Sequence, residues 1–302
     1  MMDAVLRVLF AINLGVSVTI NYFFAWILLL TPDCLVSVRV RNGLALCATH
    51  FAFAYAIAIS PWVDVRTDGD LAPTWAEVVG HINDADDGRP VFLLGNHTSF
   101  LDTVLTVAKA PLTLIYYSRT YVKEGLLDMP ILGVVIRSMG LFTVNFKGVK
   151  DGDFSVDKEK MAAMQVRVDE HIERGGVLCF FPEGQVNSKP EKVLPFRYGG
   201  IKVALKNDAK LYQYITVGCP GVWGKREAVG GWPGTVLYGL KPLAPDGTVA
   251  LLADLRKRQT AEQADKADAA LLAEHLQGRM QAYYDDLAAK REVLLNPRTK
   301  AD

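Results

Sequence analysis

The sequence predicts an α/β protein in which a mostly parallel sheet is flanked by helices and preceded by an apolar N-terminal helical membrane segment. Short apolar runs alternate with segments of helical periodicity from residue 88 onward, which is the pattern of strands joined by crossover helices. Glycine and proline separate these segments. Residues 8–30 carry no formal charge, which sets the N-terminal region apart from the rest of the chain.

The first 60 residues contain two apolar runs. Residues 8–30 would form a helix about 34 Å long, and the hydrocarbon core of a bilayer is about 30 Å thick. Residues 44–60 form a second run of about 25 Å. We therefore expect residues 1–60 to form a membrane-embedded helical hairpin. A pair of buried core helices is the alternative, whereas a cleavable signal peptide fits less well because only Arg7 is basic before an apolar core that is too long.

Three further segments follow the hairpin. Residues 61–87 are rich in aspartate, proline and glycine, and they predict a polar connector with one short helix at 74–82. Residues 88–250 contain the alternating strands and helices and form the predicted main domain. Residues 251–302 predict a C-terminal helical extension, in which residues 260–290 form one long and mostly exposed helix.

The predicted strands of the main domain are apolar throughout or rich in β-branched and aromatic residues. These strands are residues 91–94, 112–117, 141–145, 177–181, 212–218 and 235–238. The predicted helices begin near Ser99 and cover residues 130–139, 153–174 and 201–207. Asp153 and Ser155 are candidate caps of the third of these helices. The glycine-rich residues 222–234 predict a mobile surface loop and lack the spacing of a nucleotide-binding loop.

The charge balance and the cysteines argue against several classes of protein. Lysine plus arginine and aspartate plus glutamate number 33 each, so no net field predicts nucleic acid as a partner. The cysteines are widely spaced and form neither a metal-ligand pattern nor a disulfide framework. They are Cys34, Cys47, Cys179 and Cys219. We expect buried thiols in a reducing compartment, and we expect neither a metal nor a cofactor.

The segment 91–102 offers the clearest chemistry. The apolar strand ends at Gly95-Asn96, which places His97 at its end. Ser99 and Asp102 have the spacing of a helix N-cap and its capping-box partner. On a regular helix residues 97 and 102 would point about 140° apart, so contact requires His97 to lie on a turn before the helix. A carboxylate in contact fixes one ring tautomer and leaves the other nitrogen as a base. A surface turn residue and a capping carboxylate are the simpler interpretation of this spacing.

Two sequence blocks together carry a resemblance to a known family. The first is Asn-His-Thr-Ser-Phe-Leu-Asp at 96–102, and the second is Phe-Pro-Glu-Gly at 181–184. In this order, behind an apolar N-terminus, they resemble the glycerolipid acyltransferases, which include the 1-acylglycerol-3-phosphate acyltransferases. Further segments are similar to other blocks of that family, so the likeness covers residues 90–245. These segments are residues 130–145, 194–200 and 238–243.

The resemblance implies an acyl-CoA-dependent O-acyltransferase for a lysophospholipid, with 1-acyl-sn-glycerol 3-phosphate giving phosphatidic acid as the expected reaction. His97, oriented by Asp102, would take the proton of the acceptor hydroxyl without an acyl-enzyme. Backbone N–H groups near Gly95 or at the helix start would stabilise the oxyanion. Glu183 and Gly184 are implied as acceptor-binding or site-organising residues. Cations on the same blocks are candidates for binding an anionic headgroup, namely Arg137, Lys147, Lys189 and Arg197.

The chain departs from the family pattern in three places. Phe146 stands where the second block usually ends in arginine, and residues 185–187 read Gln-Val-Asn where the family has Thr-Arg-Ser. The proline-centred run of the fourth block is reduced to residues 215–220. The missing arginines keep another lysophospholipid and glycerol 3-phosphate open as acceptors. A membrane-anchored lipid-binding protein without catalysis is a further alternative, whereas a serine hydrolase fits poorly because no Gly-x-Ser-x-Gly elbow surrounds Ser99.

The expected partners are membrane lipid and acyl-CoA. Acyl-CoA is supplied from the cytosolic side, so the catalytic domain should face the cytosol, at the endoplasmic reticulum in a eukaryote. Arg39 and Arg41 lie between the two apolar runs, and the positive-inside rule would place this link in the cytosol if both runs crossed the membrane. The catalytic domain would then face the opposite side. A hairpin that dips into one leaflet and returns avoids this conflict.

Overall fold

The computed structural model of the chain describes residues 1–84, 86–144, 146–150, 153–156 and 158–296, and it describes only the main chain of residues 146–150, 153–156, 158 and 261–262. The helices are α1 (Met2–Leu30), α2 (Val38–Ala58), α3 (Ala72–Asn83), α4 (Phe100–Lys109), α5 (Leu112–Tyr117), α6 (Leu132–Met139), α7 (Lys158–Glu173), α8 (Tyr198–Lys206), α9 (Cys219–Val222), α10 (Thr248–Arg258), α11 (Ala261–Ala264) and α12 (Asp268–Leu295). A 3₁₀ helix covers Glu124–Asp128. The strands are β1 (Val63–Thr67), β2 (Val91–Gly95), β3 (Ser118–Lys123), β4 (Phe142–Val144), β5 (Phe146–Lys150), β6 (Asp153–Val156), β7 (Val177–Phe180), β8 (Lys210–Val217) and β9 (Gly234–Ala244).

Seven strands of the described chain form one sheet, in the order β1-β9-β8-β2-β7-β3-β4. All neighbours are parallel except β8 and β9, which run antiparallel. Alternate residues of β2 enter two separate hydrophobic clusters, with Phe92 in one and Leu93 in the other. The sheet is therefore covered by helices on both faces, and the predicted fold class is confirmed.

The central strand β2 positions the region of interest. All five of its residues are buried, as expected for a parallel strand with a helical layer on each face. It lies between β7 and β8 and runs parallel to both. Because the carboxyl ends of parallel strands meet at one edge of the sheet, the segments that follow these three strands converge there.

The strand predicted at residues 112–117 is wrong, since these residues form helix α5. Pro111 precedes the helix, and its carbonyl accepts the N–H of Ile115 over 3.0 Å. The aromatic and β-branched composition favoured a strand, but packing against α2 overrides this weak preference. A Cβ at Gly43 of α2 would lie 2.4 Å from the ring of Tyr116, which shows how closely the two helices approach. The strand instead follows this helix directly and begins at Ser118, six residues after the predicted start.

The helix predicted at residues 153–174 begins later than expected. Asp153 and Ser155 lie in β6, which pairs antiparallel with β5, so they are not helix caps. The helix proper is α7. Asn145, the predicted last residue of the third strand, lies outside the described residues, and β4 ends at Val144.

The predicted polar connector also contributes to the sheet. Within residues 61–87, β1 pairs in parallel with β9 and forms an edge of the sheet. The sequence signal for this strand was weak, because Asp64 and Arg66 interrupt its apolar pattern and are at least partly exposed at the edge.

The C-terminal helix α12 is not the mostly exposed helix that the sequence predicted. It packs on β8, β9 and α8 and contributes to the larger hydrophobic core. Its buried residues are Ala269, Leu271, Leu272, Ala273, Leu276, Met280, Tyr283, Tyr284 and Leu287. Numerous charged residues between these positions obscured the apolar stripe in the sequence.

Helices α1 and α2 form the predicted helical pair, which packs on α4, α5 and α6. Asn21 of α1 donates to the Thr49 hydroxyl of α2 over 2.9 Å, and this joins the two helices through a buried polar contact. Helix α1 is long and apolar enough to cross a membrane. Of its most apolar 18-residue stretch, 22% is buried in the protein. Its outward residues are large and apolar, including Ile20, Phe23 and Ile27. One such helix is a weak indication of membrane association by itself.

Candidate active site

His97 lies two residues beyond the carboxyl end of β2. The turn that carries it is fixed by Asn96, whose side-chain amide donates to the Thr216 carbonyl and accepts the Thr216 N–H, each over 2.9 Å. This pair of hydrogen bonds ties the end of β2 to the end of β8. At Gly95 a Cβ would lie 2.2 Å from the ring of Tyr214, so the close approach of this ring requires glycine.

The His97 ring is held by stacking. It lies 4.0 Å from the ring of Phe181, at an interplanar angle of 10°. Its Nδ1 atom is buried, has no hydrogen-bond partner among the described residues, and lies 3.6 Å from Oδ2 of Asp102. The side chain is 15% exposed, so one edge of the ring remains accessible. The structure thus brings the predicted pair together on a turn before the helix, at a distance longer than a hydrogen bond.

Asp102 is completely buried and its carboxylate organises the start of α4. Oδ2 accepts the main-chain N–H groups of Thr98 over 2.5 Å and Ser99 over 2.7 Å. Oδ1 accepts the Thr216 hydroxyl over 2.8 Å. The capping box predicted for Ser99 and Asp102 is confirmed. These N–H groups were candidate oxyanion donors, and in this structure they are occupied by Asp102.

The Ser99 hydroxyl forms two hydrogen bonds with main-chain groups. It accepts the N–H of Leu101 over 3.0 Å and donates to the Trp223 carbonyl over 2.6 Å. Its proton is therefore directed to a main-chain oxygen and not to His97. This arrangement fits a helix cap and does not fit the nucleophile of a serine hydrolase.

Glu183 follows β7 and braces the His97 turn from the neighbouring strand. Its Oε1 accepts the His97 N–H over 2.9 Å, and its Oε2 accepts the Leu194 N–H over 2.9 Å. The residue is 1% exposed, and burial raises the pKa of its carboxyl, although the hydrogen bonds from His97 and Leu194 oppose this shift. A buried carboxylate that accepts these N–H groups organises the site from within.

Asn187 is a second brace, which the sequence reasoning missed. Its main-chain N–H donates to the His97 carbonyl over 2.6 Å, so the polar main-chain groups of His97 are held from both sides. Its side-chain amide donates to Glu183 over 3.0 Å and to the Lys192 carbonyl over 2.7 Å. The available signal was the departure from Thr-Arg-Ser at residues 185–187, from which the sequence analysis drew an inference about the acceptor only.

The predicted cations differ in their relation to this turn. Gly184 has a φ of 71°, and a Cβ there would lie 3.0 Å from Cγ of Arg197, so the Arg197 side chain crosses the turn. The Lys189 N–H donates to Asn187 Oδ1 over 2.9 Å, which places Lys189 on the same loop. Arg137 lies on α6, and no contact between the described residues joins it to the His97 turn. Lys147 belongs to β5, and its side chain lies outside the described part of the chain.

The cysteines and one acidic cluster complete the chemical inventory. Cys34 is exposed, so the expectation of buried thiols is wrong there, while Cys219 is buried. His81, Asp84 and Asp87 are close enough together to hold a cation. The ammonium of Lys210 already donates to His81 Nδ1 over 2.7 Å and pairs with Asp87. The Lys210 ammonium thus already occupies two of the three groups, His81 and Asp87.

The segment that contains this site resembles a known protein family. Residues 77–217, which include the His97 and Glu183 turns, match the family model described as Acyltransferase. Over this segment, which is just under half of the chain, the protein is similar to the acyltransferase family. The resemblance found in the two sequence blocks is therefore confirmed.

Two known proteins are similar to this chain. The 1-acyl-sn-glycerol-3-phosphate acyltransferase of Helicobacter pylori (strain J99 / ATCC 700824) is 23% identical over 165 residues, which are 55% of this chain and 64% of that protein. The aligned part thus spans just under two thirds of the curated relative. The 1-acyl-sn-glycerophosphate (LPA) acyltransferase PlsC from Thermotoga maritima has a similar structure, with a TM-score of 0.59 at 17% identity over 95% of this chain and 98% of that one. The structural likeness shows a shared fold.

Proposed function

We propose that the protein transfers a fatty acyl chain from acyl-CoA to the free hydroxyl of 1-acyl-sn-glycerol 3-phosphate, and so forms phosphatidic acid. The observation that supports this most directly is the position of His97, whose main chain is fixed by Glu183 and Asn187 and whose ring is partly accessible. The names of the two relatives support the choice of acceptor. The match of residues 77–217 to the acyltransferase family model supports acyl transfer as the class of reaction.

In this mechanism His97 acts as a general base through Nε2. It takes the proton of the acceptor hydroxyl while the hydroxyl oxygen attacks the thioester carbonyl carbon. The tetrahedral intermediate then collapses, the C–S bond breaks, and His97 returns the proton to the coenzyme A sulfur. The carboxylate of Asp102, 3.6 Å from Nδ1, would stabilise the imidazolium that forms in between. A small rotation of the ring would close this gap when substrate binds.

The oxyanion needs donors that the structure has not already used. Thr98, Ser99 and Leu101 direct their N–H groups to side chains of the capping box. The positive end of the α4 helix dipole remains available to favour negative charge at this point. We therefore assign the electrostatic contribution to the whole first turn of α4 and not to the N–H groups first considered.

The membrane is proposed as the source of the acceptor. The outward face of α1 is apolar along its length, and the pair α1 and α2 is attached to α4, which carries Asp102. A lysolipid would then reach the site from the bilayer, and acyl-CoA from the cytosol, with the hairpin held in one leaflet. In a eukaryotic cell the endoplasmic reticulum would be the expected location.

The first experiment is turnover of acyl-CoA by the detergent-solubilised full chain. The acceptors would be 1-acyl-sn-glycerol 3-phosphate, other lysophospholipids and glycerol 3-phosphate. We expect the first to be used best and His97→Ala to lower kcat by at least about 100-fold, because general acid–base catalysis contributes about 10² to 10⁴. Circular dichroism of both proteins controls for folding.

Three other outcomes would contradict the proposed acceptor, the proposed mechanism or catalysis itself. Preference for a different acceptor would support the alternatives raised by Phe146 and Val186, where related sequences carry arginine. A folded His97→Ala protein with undiminished turnover would contradict the mechanism. Binding of lysolipid by a folded parent that turns over no acceptor would favour the non-catalytic alternative.

A further inference from the structure

Lys225 lies on the glycine-rich loop and reaches across to the turn that braces His97. Its Nζ donates to the Val186 carbonyl over 2.7 Å. The next residue, Asn187, donates its N–H to the His97 carbonyl over 2.6 Å. With one peptide group between these two bonds, the Lys225 ammonium lies within about 8 Å of the His97 main chain. The sequence reasoning did not consider Lys225, because its loop was taken for a mobile surface segment.

The loop that carries Lys225 is well anchored. Both carboxylate oxygens of Glu227 are used inside it, one by the Gly224 N–H over 2.9 Å and the other by the Trp232 indole over 2.7 Å. The indole hydrogen bond lowers the pKa of Glu227, which keeps the carboxylate ionised. The Trp223 carbonyl accepts the hydroxyl of Ser99, so the loop is tied directly to the start of α4. Hydrogen bonds thus anchor this loop both within itself and to the start of α4.

The loop is also attached to the membrane helix. Arg7 of α1 donates to the Val229 carbonyl over 2.9 Å and lies 3.5 Å from Glu227. A Cβ at Gly231, where φ is 102°, would lie 2.3 Å from Phe10 of the same helix. Lys225 thus projects where three elements meet, namely the start of α1, the start of α4 and the turn after β7.

The charge of Lys225 has no counter-ion among the described residues. The side chain is exposed, and its recorded partner is a neutral carbonyl. An ammonium has three N–H donors, so two remain for a ligand. Glu183, the acidic residue of the facing turn, is buried and already accepts N–H groups from His97, Leu194 and Asn187. The side chain of Val186 is uncharged. The positive charge beside it is that of Lys225, on the glycine-rich loop.

We propose that Lys225 binds the phosphate of the acceptor and so selects phosphate-bearing lysolipids. The inference rests on the proposed function and adds a specificity-determining residue to it. The reacting hydroxyl and the phosphate of 1-acyl-sn-glycerol 3-phosphate are on neighbouring glycerol carbons. A phosphate held by Lys225 therefore leaves the hydroxyl close to the His97 turn. The side chain of Arg197 lies against Gly184, which belongs to the same turn after β7.

The test compares Lys225→Met, Lys225→Arg and the matched control Arg226→Ala in the full chain. Arg226 is an exposed cation of the same loop, and we assign it no role. With saturating acyl-CoA, Lys225→Met should raise the KM for 1-acyl-sn-glycerol 3-phosphate about tenfold or more and leave kcat nearly unchanged, since a hydrogen bond to a charged group is lost. Lys225→Arg should restore a KM near that of the parent. Arg226→Ala should match the parent.

The outcomes separate this inference from the proposed function. An unchanged KM in Lys225→Met, or a fall in kcat at constant KM, would overturn the role in phosphate binding and leave Lys225 as a clamp on Val186. Absence of turnover in the parent would contradict the proposed function instead. In that case binding of 1-acyl-sn-glycerol 3-phosphate, followed through tryptophan fluorescence without acyl-CoA, decides the matter. Binding that weakens in Lys225→Met supports the role, and equal binding refutes it.

Discussion

At the scale of single residues, His97 shows what spacing can and cannot predict. The sequence placed it on a turn before a helix, with Asp102 on the first turn, and the structure has this arrangement. The 3.6 Å separation and the stacking on Phe181 depend on ring rotation and on a residue distant in sequence, so no local pattern contained them. The roles of His97 and Asp102 in catalysis remain predictions, and the turnover experiment tests that of His97.

His171 provides a pH-dependent prediction for stability. Burial lowers the pKa of its imidazole from the ordinary 6.5 to about 4, and the nearby cation Arg119 acts in the same direction. The unfolded chain thus binds a proton more readily than the folded chain between these values. The stabilisation is present above about pH 6.5 and is lost as pH falls towards 4, by up to about 3 kcal/mol.

Replacing His171 by glutamine, which does not titrate, should remove the pH-dependent part of the unfolding free energy that His171 contributes. The difference in unfolding free energy between the parent and His171→Gln should therefore shrink as pH falls from 7 to 4.5. Urea denaturation of both proteins at several pH values in one detergent measures it. A difference that stays constant over this range would show that His171 titrates normally in the folded protein.

At the scale of elements, the sequence predicted the start of helix α4 correctly and placed strand β3 wrongly. The cap at Ser99 could be identified because its hydrogen bonds are local. Strand β3 follows the short helix α5, and the apolar composition of residues 112–117 is compatible with either structure. What decides between them is the contact of Tyr116 with Gly43, some 70 positions earlier in the chain.

Ser99→Ala tests the cap and the nucleophile at once. We expect a loss of about 1 to 2 kcal/mol in unfolding free energy, because the N-cap and the hydrogen bond to the Trp223 carbonyl are removed. Turnover should persist at a substantial fraction of the parent value. Ser37→Ala, which removes the N-cap of α2, is the matched control. Complete loss of turnover in a folded Ser99→Ala protein would indicate a chemical role for the hydroxyl.

At the scale of the whole molecule, the fold class was predictable and the packing of its ends was not. The alternation of strands and helices gave the mostly parallel sheet. Strand β1 pairs with β9 at one edge, and α12 packs into the core, through contacts between residues far apart in the sequence. The charged residues within both segments hid their apolar pattern. The relation of the glycine-rich loop to α1, through Arg7, likewise joins residues 222 positions apart.

The apolar face of α1 predicts how the protein meets a bilayer. Ile20→Glu together with Ile27→Glu, at side chains that are 65% and 63% exposed, should greatly reduce co-flotation with phosphatidylcholine vesicles. A charge placed in hydrocarbon costs about 3 kcal/mol. Val166→Glu, at a residue of α7 that is 58% exposed, is the matched control and should float like the parent. Equal flotation of all three would refute membrane attachment through this face.

The position of β2 between β7 and β8 has a consequence for the order in which the protein folds. The contacts that fix His97 and Asp102 join residues 86 and 114 positions apart, so each requires the closure of a long loop. Such non-local pairings are slow to form, whereas the cap of α4 forms from neighbouring residues. A nascent chain can therefore form the cap of α4 early. It acquires an assembled site only after Thr216 has been synthesised and β8 has joined the sheet.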